Sequence, residues 1–331
     1  MDISHLKFAF AGFRHGHVFA LLERIRATAG MEIVGACEPD DAARAVAQEH
    51  GVVCEYPTVE ALLSKSGCDV VVVGEAYGRR EAVVLQALRA GKHVLSDKPF
   101  CTTQAGLEAI QAECAKPGAP RLGCMFDLGT TPAMTTARAV VADGRLGTLQ
   151  SIQFNGMHPL NYRNGRPDWY FEPGMHGGTI NDLASHAFDF LPRLANSPIE
   201  KILFASARNV AFPECPDFQN VAQVSFLMKN GVVVSGDVSY TAPKISAFSL
   251  PSYWRFTVTG TQGWMEFAYG KDTVLLANPT DAEPQAVPLA SAIPDYFDGF
   301  LAELQGRPTE FTTQRHLTTA EWCLKAQCAT I

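Results

Sequence analysis

Residues 69–96, DVVVVGEAYGRREAVVLQALRAGKHVLS, decide the fold of this 331-residue chain. Asp69–Val73 is nearly continuous in β-branched residues, the composition of a strand buried on both faces. Arg80–Ala90 follows as a helix, and Gly91 stands at the C′ position, where a left-handed backbone ends a helix without a Cβ penalty. His93–Ser96 is the next strand. Strand, helix and strand at this spacing predict parallel pairing through a right-handed crossover. The same alternation extends toward the N-terminus. Lys7–Ala11 reads as a strand before a helix at Phe19–Ala27, and Glu32–Cys37 as a strand before a helix at Asp41–His50. A short extended piece at Val52–Cys54 precedes a helix over Thr58–Lys65, with Thr58 as its cap. The expectation is an α/β, Rossmann-type parallel-sheet domain over residues 1–122.

Past Leu122 the pattern changes. A helix around Ala133–Asp143 ends in DGRLG, and the strands Gln150–Asn155, Val221–Met228, Val232–Asp237 and Arg255–Thr259 alternate polar with apolar residues. Asn230-Gly231 sits between two apolar runs, the strongest short hairpin signal. Residues 123–331 are therefore expected to form a substrate-binding and oligomerisation α+β domain with a large, mostly antiparallel open sheet. Its C-terminal helix is expected to pack back on the first domain. Pro- and Gly-bearing loops at 156–178, 211–217 and 241–252 are the natural carriers of function.

Composition narrows the function. The chain is 47% hydrophobic and 18% charged, with a formal net charge of -7 and no basic face, which argues against nucleic acid. No apolar run reaches the roughly 18 residues of a membrane span. The N-terminus MDISHLKFAFAGFRHGH goes straight from a strand-length apolar run into glycine, unlike a signal peptide. Nine scattered cysteines, an odd number with no C-x-x-C pair, suggest neither a zinc ribbon nor a disulfide framework. A soluble protein of the reducing cytoplasm is the expectation.

The turn Ala11-Gly12-Phe13-Arg14-His15-Gly16-His17 lies between the first strand and the first helix, where a dinucleotide pyrophosphate meets free helix N–H groups. Its match to G-x-G-x-x-G is imperfect. If Gly16 is the last glycine, Ala11 and Phe13 fill the first two positions, and Phe13 is expected to restrict approach to phosphate while Arg14 adds a charge. Glu38 follows the second strand, 22 residues beyond Gly16, near the offset of about 20 for a ribose-binding acid. A carboxylate there accepts ribose hydroxyls and repels a 2′-phosphate, so NAD is expected in preference to NADP.

Gly91-Lys92-His93-Val94-Leu95-Ser96-Asp97-Lys98-Pro99-Phe100 closely resembles the G-K-H-V-x-x-E-K-P run of the Gfo/Idh/MocA oxidoreductases, with Asp97 in place of Glu. Gly177-Gly178-Thr179-Ile180-Asn181-Asp182-Leu183-Ala184-Ser185-His186 resembles that family's G-G-x-x-x-D-x-x-x-H segment. The turns Gly144–Gly147 and Gly260–Gly263 also match, so the resemblance runs from about residue 6 to the end. It departs at Glu75-Ala76-Tyr77-Gly78-Arg79-Arg80, where the family shows T-P-N-x-x-H, and at Cys124–Leu128, which lacks an Arg-rich run.

The resemblance implies hydride transfer between a secondary alcohol of a sugar, cyclitol or related polyol and nicotinamide. Lys98, just past a strand's carboxyl end, would polarise the hydroxyl. Asp182 and His186, spaced i and i+4, share one face of a helix, and His186 would accept the hydroxyl proton, with Asp182 sharing the task or fixing the imidazole. Candidate cofactor contacts are Gly12, Phe13, Arg14, His15, Gly16, Glu38, Glu75 and Lys98. Candidate sugar contacts are His158, Asn161, Arg163, Arg166, Trp169, Tyr170, His176 and Asn181. No metal is expected: a hydrolase site from His176, Asp182 and His186 lacks an H-E-x-x-H spacing. A redox-neutral lyase or glycosidase on the same fold and a non-catalytic cofactor-binding regulator are the alternatives. The resemblance also suggests a homodimer or homotetramer joined through the exposed face of the second-domain sheet.

Overall fold

The computed structural model describes residues 3–160, 166–243, 253–291 and 293–330. In chain order the elements begin β1 (Leu6–Ala11), α1 (His17–Ala27), β2 (Met31–Cys37), α2 (Asp41–Glu49), α3 (Val59–Lys65), β3 (Val70–Val73), α4 (Tyr77–Arg89), β4 (His93–Ser96), α5 (Gln104–Cys114) and β5 (Leu122–Cys124). They continue with α6 (Pro132–Ala142), β6 (Leu149–Pro159), α7 (Ser185–Leu194), β7 (Ile199–Arg208), β8 (Val221–Met228) and β9 (Val233–Ala242). The last are β10 (Arg255–Gly260), β11 (Gly263–Ala268), β12 (Thr273–Ala277), β13 (Gln285–Pro288), α8 (Tyr296–Leu304) and α9 (Thr313–Cys328). The chain divides into two compact units. The first holds Met1–Met125, Pro167–Gly177 and Tyr296–Glu321; the second holds Phe126–Arg166, Gly178–Asp295 and Trp322–Ile331.

The first unit is built on a five-stranded parallel sheet in the order β2-β1-β3-β4-β5. Val70–Val73 is fully buried, as its β-branched run requires, and each such side chain contributes about 1.5–3 kcal/mol of burial. Leu21, Leu22 and Ile25 of α1 and Phe297 and Phe300 of α8 join Phe8, Phe10 and Leu95 in one core. Thr58 caps α3 by accepting from the Ala61 N–H at 3.2 Å, and Gly91 adopts a φ of 73° beyond α4. The extended piece at 52–54 joins no sheet; one main-chain bond, from the Tyr56 N–H to the Ala36 carbonyl at 3.2 Å, ties the residues after it to β2. β2 is thereby left as an edge. The order reverses at β1, so the switch point, where open α/β sheets bind ligands, lies at the carboxyl ends of β1 and β3.

The second unit carries an eight-stranded sheet, β13-β12-β11-β10-β6-β9-β8-β7, antiparallel at every pairing except β6 with β9. The Asn230-Gly231 hairpin joins β8 to β9, with Gly231 at φ 88°. Along β8 one phase is buried (Ala222, Val224, Phe226, Met228) and the other is partly or fully exposed. Phe188 and Phe190 of α7 close the buried face, stacking on Phe226 at 4.9 Å and meeting Phe256 edge-on at 5.5 Å. On β7 and β9, Leu203, Phe204 and Val233 stay exposed. Among the described residues no helix is long and apolar enough to cross a membrane.

Candidate active site

The β1–α1 turn is shaped by Gly12. Its φ is 92°, and a Cβ there would sit 2.7 Å from the Glu75 nitrogen, so no other residue fits. Phe13 does not crowd the phosphate side as its position in the fingerprint predicts. Its ring is 3% exposed and stacks between Phe10 and Phe19 at 5.5 and 5.7 Å, pulled inward by core burial. Gly16, the N-cap of α1, has an ordinary φ of -64° and nothing within 4 Å of a Cβ, so its backbone makes no demand for glycine. No side chain caps α1, and in its first turn the Val18 and Phe19 N–H groups make only long main-chain bonds, to the His15 and Gly16 carbonyls at 3.4 and 3.3 Å.

Glu38 is buried rather than solvated. Its Oε2 accepts from the Phe13 N–H at 2.6 Å and its Oε1 from the Asp40 N–H at 2.9 Å, so it holds the turn in place. Burial pushes its carboxyl up, against the pull of those two donors. Arg14 pairs with Asp40 at 3.1 Å, and its N–H binds the Gly74 carbonyl at 2.8 Å. Glu75, 7% exposed, accepts from the Ala76 N–H.

Asp97 gathers the rest of the first unit's site. It is fully buried and takes four donors: Arg80 Nη2 at 2.9 Å and His15 Nδ1 at 2.7 Å on Oδ2, and His17 Nδ1 at 3.1 Å and the Lys98 N–H at 2.8 Å on Oδ1. Burial alone would raise its carboxyl, but the Arg80 charge, helped by the two imidazoles, holds it well below the usual carboxylate range. An ionised carboxylate only accepts, so both imidazoles carry their proton on Nδ1. Burial pushes His15 down from 6.5 to about 4 despite Asp97, so it is neutral near pH 7. Its Nε2 lies 3.3 Å from the Tyr77 hydroxyl, which lies 2.6 Å from that of Tyr170.

Two of the three departures from the family pattern thus meet, the segment ending in Arg80 and the Asp97 that replaces Glu. Arg80, at the end of the segment that replaces T-P-N-x-x-H, reaches the shorter Asp97, and its Nη1 holds the Lys98 carbonyl at 2.7 Å. Lys98 itself is 4% exposed, beyond the carboxyl end of β4 and before a cis Pro99. Among the described residues His15, His17 and Asp97 also form a group whose ligand atoms lie within 4.8 Å of one another. Four donors, one of them a guanidinium, already saturate that carboxylate, so the cluster fits a hydrogen-bonded assembly better than a metal centre.

Three of the predicted sugar contacts also fall in the first unit. Trp169 donates to the Arg14 carbonyl at 3.2 Å, and the His176 ring lies 5.2 Å from Tyr170 and 5.9 Å from Tyr77. The others lie in the second unit or outside the described residues, as Asn161 and Arg163 do.

In the second unit Asp182 does not lie on a regular α-helix. Ile180–Ala184 is a π-helical turn, and α7 begins at Ser185, so His186 stands in the first turn of the next helix. Such turns are frequent at functional sites. The Gln327 side-chain Oε1 receives the Ile180 and Asn181 N–H groups at 3.0 and 3.4 Å, which caps this turn from α9. Asp182, 1% exposed, accepts a short hydrogen bond from the Tyr240 hydroxyl of β9. The half-buried His186 ring meets Trp254 edge-on at 5.1 Å and Phe126 at 6.3 Å. Trp254 has a φ of 45°, an unfavourable conformation for a bulky residue that the packing here imposes. Asn181 is buried at 1% exposure, and half-buried His158 lies 6.2 Å from the Tyr240 ring. Arg166 is tied to the carbonyls of Pro159 and Leu160.

Sequence reasoning missed His17, Tyr77, Arg80, Asp97 and Tyr240. The one available signal was Arg80, a charge newly placed in the segment that replaces T-P-N-x-x-H, together with the shortening of Glu to Asp97, which invite the inference that the two pair.

Comparison with known proteins adds an independent line. Residues 6–122 match the model of the oxidoreductase family with an NAD-binding Rossmann fold, and residues 134–266 match the GFO/IDH/MocA C-terminal domain. The 1,5-anhydro-D-fructose reductase of Ensifer adhaerens is 29% identical over 180 residues, 54% of this chain and 53% of that protein. The trans-1,2-dihydrobenzene-1,2-diol dehydrogenase of Bos taurus is 28% identical over 151 residues, 45% of this chain and 43% of that one. The chain spans about half the length of these curated relatives. A levoglucosan dehydrogenase, solved with NADH and levoglucosan, shares the fold at a TM-score of 0.78 and 16% identity over 98% of this chain and 97% of that one. Both family models, the two sheets in their order and the paired motifs agree that this chain belongs to the Gfo/Idh/MocA oxidoreductase family.

Proposed function

We propose that the protein is an NAD-dependent dehydrogenase acting on a secondary alcohol of a sugar, cyclitol or related polyol, with Lys98, Asp182 and His186 as its reactive groups. Lys98 carries this reading: a lysine 4% exposed, at the carboxyl end of a parallel strand, its N–H held by Asp97 and its carbonyl by Arg80. A fixed ammonium there donates to a hydroxyl and stabilises the alkoxide as it develops. His186 takes the hydroxyl proton, and Asp182, kept in place by Tyr240, shares that proton or orients the substrate. When bound, the nicotinamide dinucleotide supplies the hydride acceptor.

The first unit fits such a cofactor. Gly12 leaves a cradle that a Cβ would fill, α1 starts without a side-chain cap, and the Phe13 ring is turned into the core. Arg14, His15, Gly16 and Glu75 border this turn and β3 and remain the proposed contacts, together with Lys98. Each Glu38 oxygen keeps a lone pair beyond its main-chain bond, enough to accept from ribose hydroxyls, which favours NAD over NADP. His158, Trp169, Tyr170, His176 and Asn181 remain the proposed sugar contacts. The sugar class is supported by the relatives' names, a reductase of 1,5-anhydro-D-fructose and a dehydrogenase of levoglucosan. The exposed Leu203, Phe204 and Val233 support association into a homo-oligomer through the second sheet, and nine free thiols suit the cytoplasm.

The test is a panel of sugars, cyclitols and anhydro sugars incubated with NAD and followed for both NADH and redox-neutral products. Reduction of NAD by members of the panel is expected. Elimination or hydrolysis products without net NADH would replace the dehydrogenase reading with the lyase one.

A further inference from the structure

The reaction proposed above leaves His17 without a role. His17 opens α1 and its side chain is 50% exposed, yet it is not an ordinary surface histidine. Its Nδ1 is fixed 3.1 Å from Asp97 Oδ1, and the His15 ring packs against it edge-on, centroids 4.3 Å apart at 84°. Arg80 keeps Asp97 an acceptor, so His17 carries a proton on Nδ1, and in the neutral imidazole Nε2 carries the lone pair. Among the described residues nothing donates to that Nε2. Oδ1 of Asp97 also holds the Lys98 N–H at 2.8 Å, so one oxygen ties the imidazole to the main chain of the proposed reactive lysine. Lysine supplies only donors. An acceptor tied through Asp97 to the main chain of that lysine complements a group that can donate, which a hydroxyl does and a phosphate oxygen does not.

We propose that His17, oriented by Asp97, is a binding residue whose Nε2 accepts a hydrogen bond from a hydroxyl of a polyhydroxylated ligand. This rests on the dehydrogenase reading for the identity of that ligand, which is either a cofactor ribose or the polyol itself. Asp97 acts on the ligand only through this ring, as a positioning residue.

Three variants and three readouts test it. His17→Phe keeps a ring on an exposed position and removes the acceptor. It is expected to weaken binding by about three- to tenfold, the worth of one hydrogen bond. His17→Gln, whose carbonyl oxygen accepts, is expected to recover most of that loss. Fluorescence titration with NADH and the KM of a turned-over polyol separate the sources: a ribose hydroxyl moves the first, a substrate hydroxyl the second. Lys7→Ala, on a distant exposed residue, serves as the control and changes neither. If both parameters stay within twofold in His17→Phe, the proposal is wrong. Nitrogen NMR of the ligand-free protein, which needs no turnover, is expected to show the Nδ1–H tautomer at His17; the Nε2–H tautomer would overturn the proposal by itself. Wild-type protein that binds no NADH would fail the underlying reading instead, and the tautomer would still decide whether His17 offers an acceptor.

Discussion

Asp97 and Asp182 are equally buried, at 0% and 1% exposure, and are held in opposite ways. Asp97 in the first unit is balanced by the Arg80 guanidinium and bound by two imidazoles and a main-chain N–H. Asp182 in the second unit takes its short hydrogen bond from a neutral phenol, that of Tyr240, within a π-helical turn that leads directly into the helix of His186. A carboxylate locked to a guanidinium keeps its charge and serves to orient its neighbours. A hydroxyl donor such as that of Tyr240 brings no charge of its own to the bond, which suits a group proposed to share a proton. The comparison separates a scaffold carboxylate from one proposed to take part in the chemistry, and each side can be broken on its own.

The largest effects belong to the proposed reactive groups. Lys98→Ala and His186→Ala are each expected to lower kcat by a factor on the order of 10²–10⁴, more than either weakens NADH binding. Steady-state kinetics with a turned-over polyol checks this, and unchanged turnover in either variant removes that residue from the chemistry. Next comes the scaffold. Arg80→Met leaves Asp97 a buried charge without its cation, and a loss of about 3–5 kcal/mol in unfolding free energy is expected from denaturant titration. A loss below ~1 kcal/mol would mean that Asp97 is not the charged hub described.

Acid should act on the same cluster. His15, pushed down from 6.5 to about 4 chiefly by burial, and Asp97, held below its ordinary range, both bind fewer protons folded than unfolded. Their stabilisation is complete above about pH 6.5 and falls as pH falls, first across the His15 window down to about 4 and then further as Asp97 titrates. The His15 part amounts to roughly 3 kcal/mol, and His15→Gln is expected to flatten the slope of stability between pH 6.5 and 4. An unchanged slope would assign the acid sensitivity elsewhere. The smallest effect concerns Glu38: NAD(H) should bind about tenfold more tightly than NADP(H), a difference of ~1.4 kcal/mol. Titrations favouring the phosphate form would show that Glu38 serves only to hold the β1–α1 turn.

Local chemistry made much of this legible in advance. The run of valines in β3, the Thr58 cap and the Asn230-Gly231 hairpin each state their conformation through nearby residues. Helix starts were less legible. α1 and α4 begin at His17 and Tyr77, earlier than the expected Phe19 and Arg80, because neither has a side-chain cap to announce it. For α4 the early start is a tertiary effect, since the Gly78 N–H binds the Met175 carbonyl at 2.8 Å. The π-helical turn at 180–184 depends on Gln327, more than a hundred residues later, and so could not be read from its own spacing. The same holds for the Asp97 cluster. Its members stand at 15, 17, 80, 97 and 98, and a sheet switch point brings them together where no local pattern would. Glu38 shows the opposite limit: its position was read correctly, but its orientation toward the Phe13 and Asp40 N–H groups was set by burial.

Isotope transfer tests the central claim most directly. The wild-type protein would be incubated with NAD and polyols deuterated at their carbinol carbons, and the NADH formed analysed by mass spectrometry. We expect deuterium in the nicotinamide ring with wild-type protein and almost none with Lys98→Ala. Unlabelled nicotinamide with every polyol, from protein that demonstrably binds NADH, would contradict the assignment of this chain as a polyol dehydrogenase.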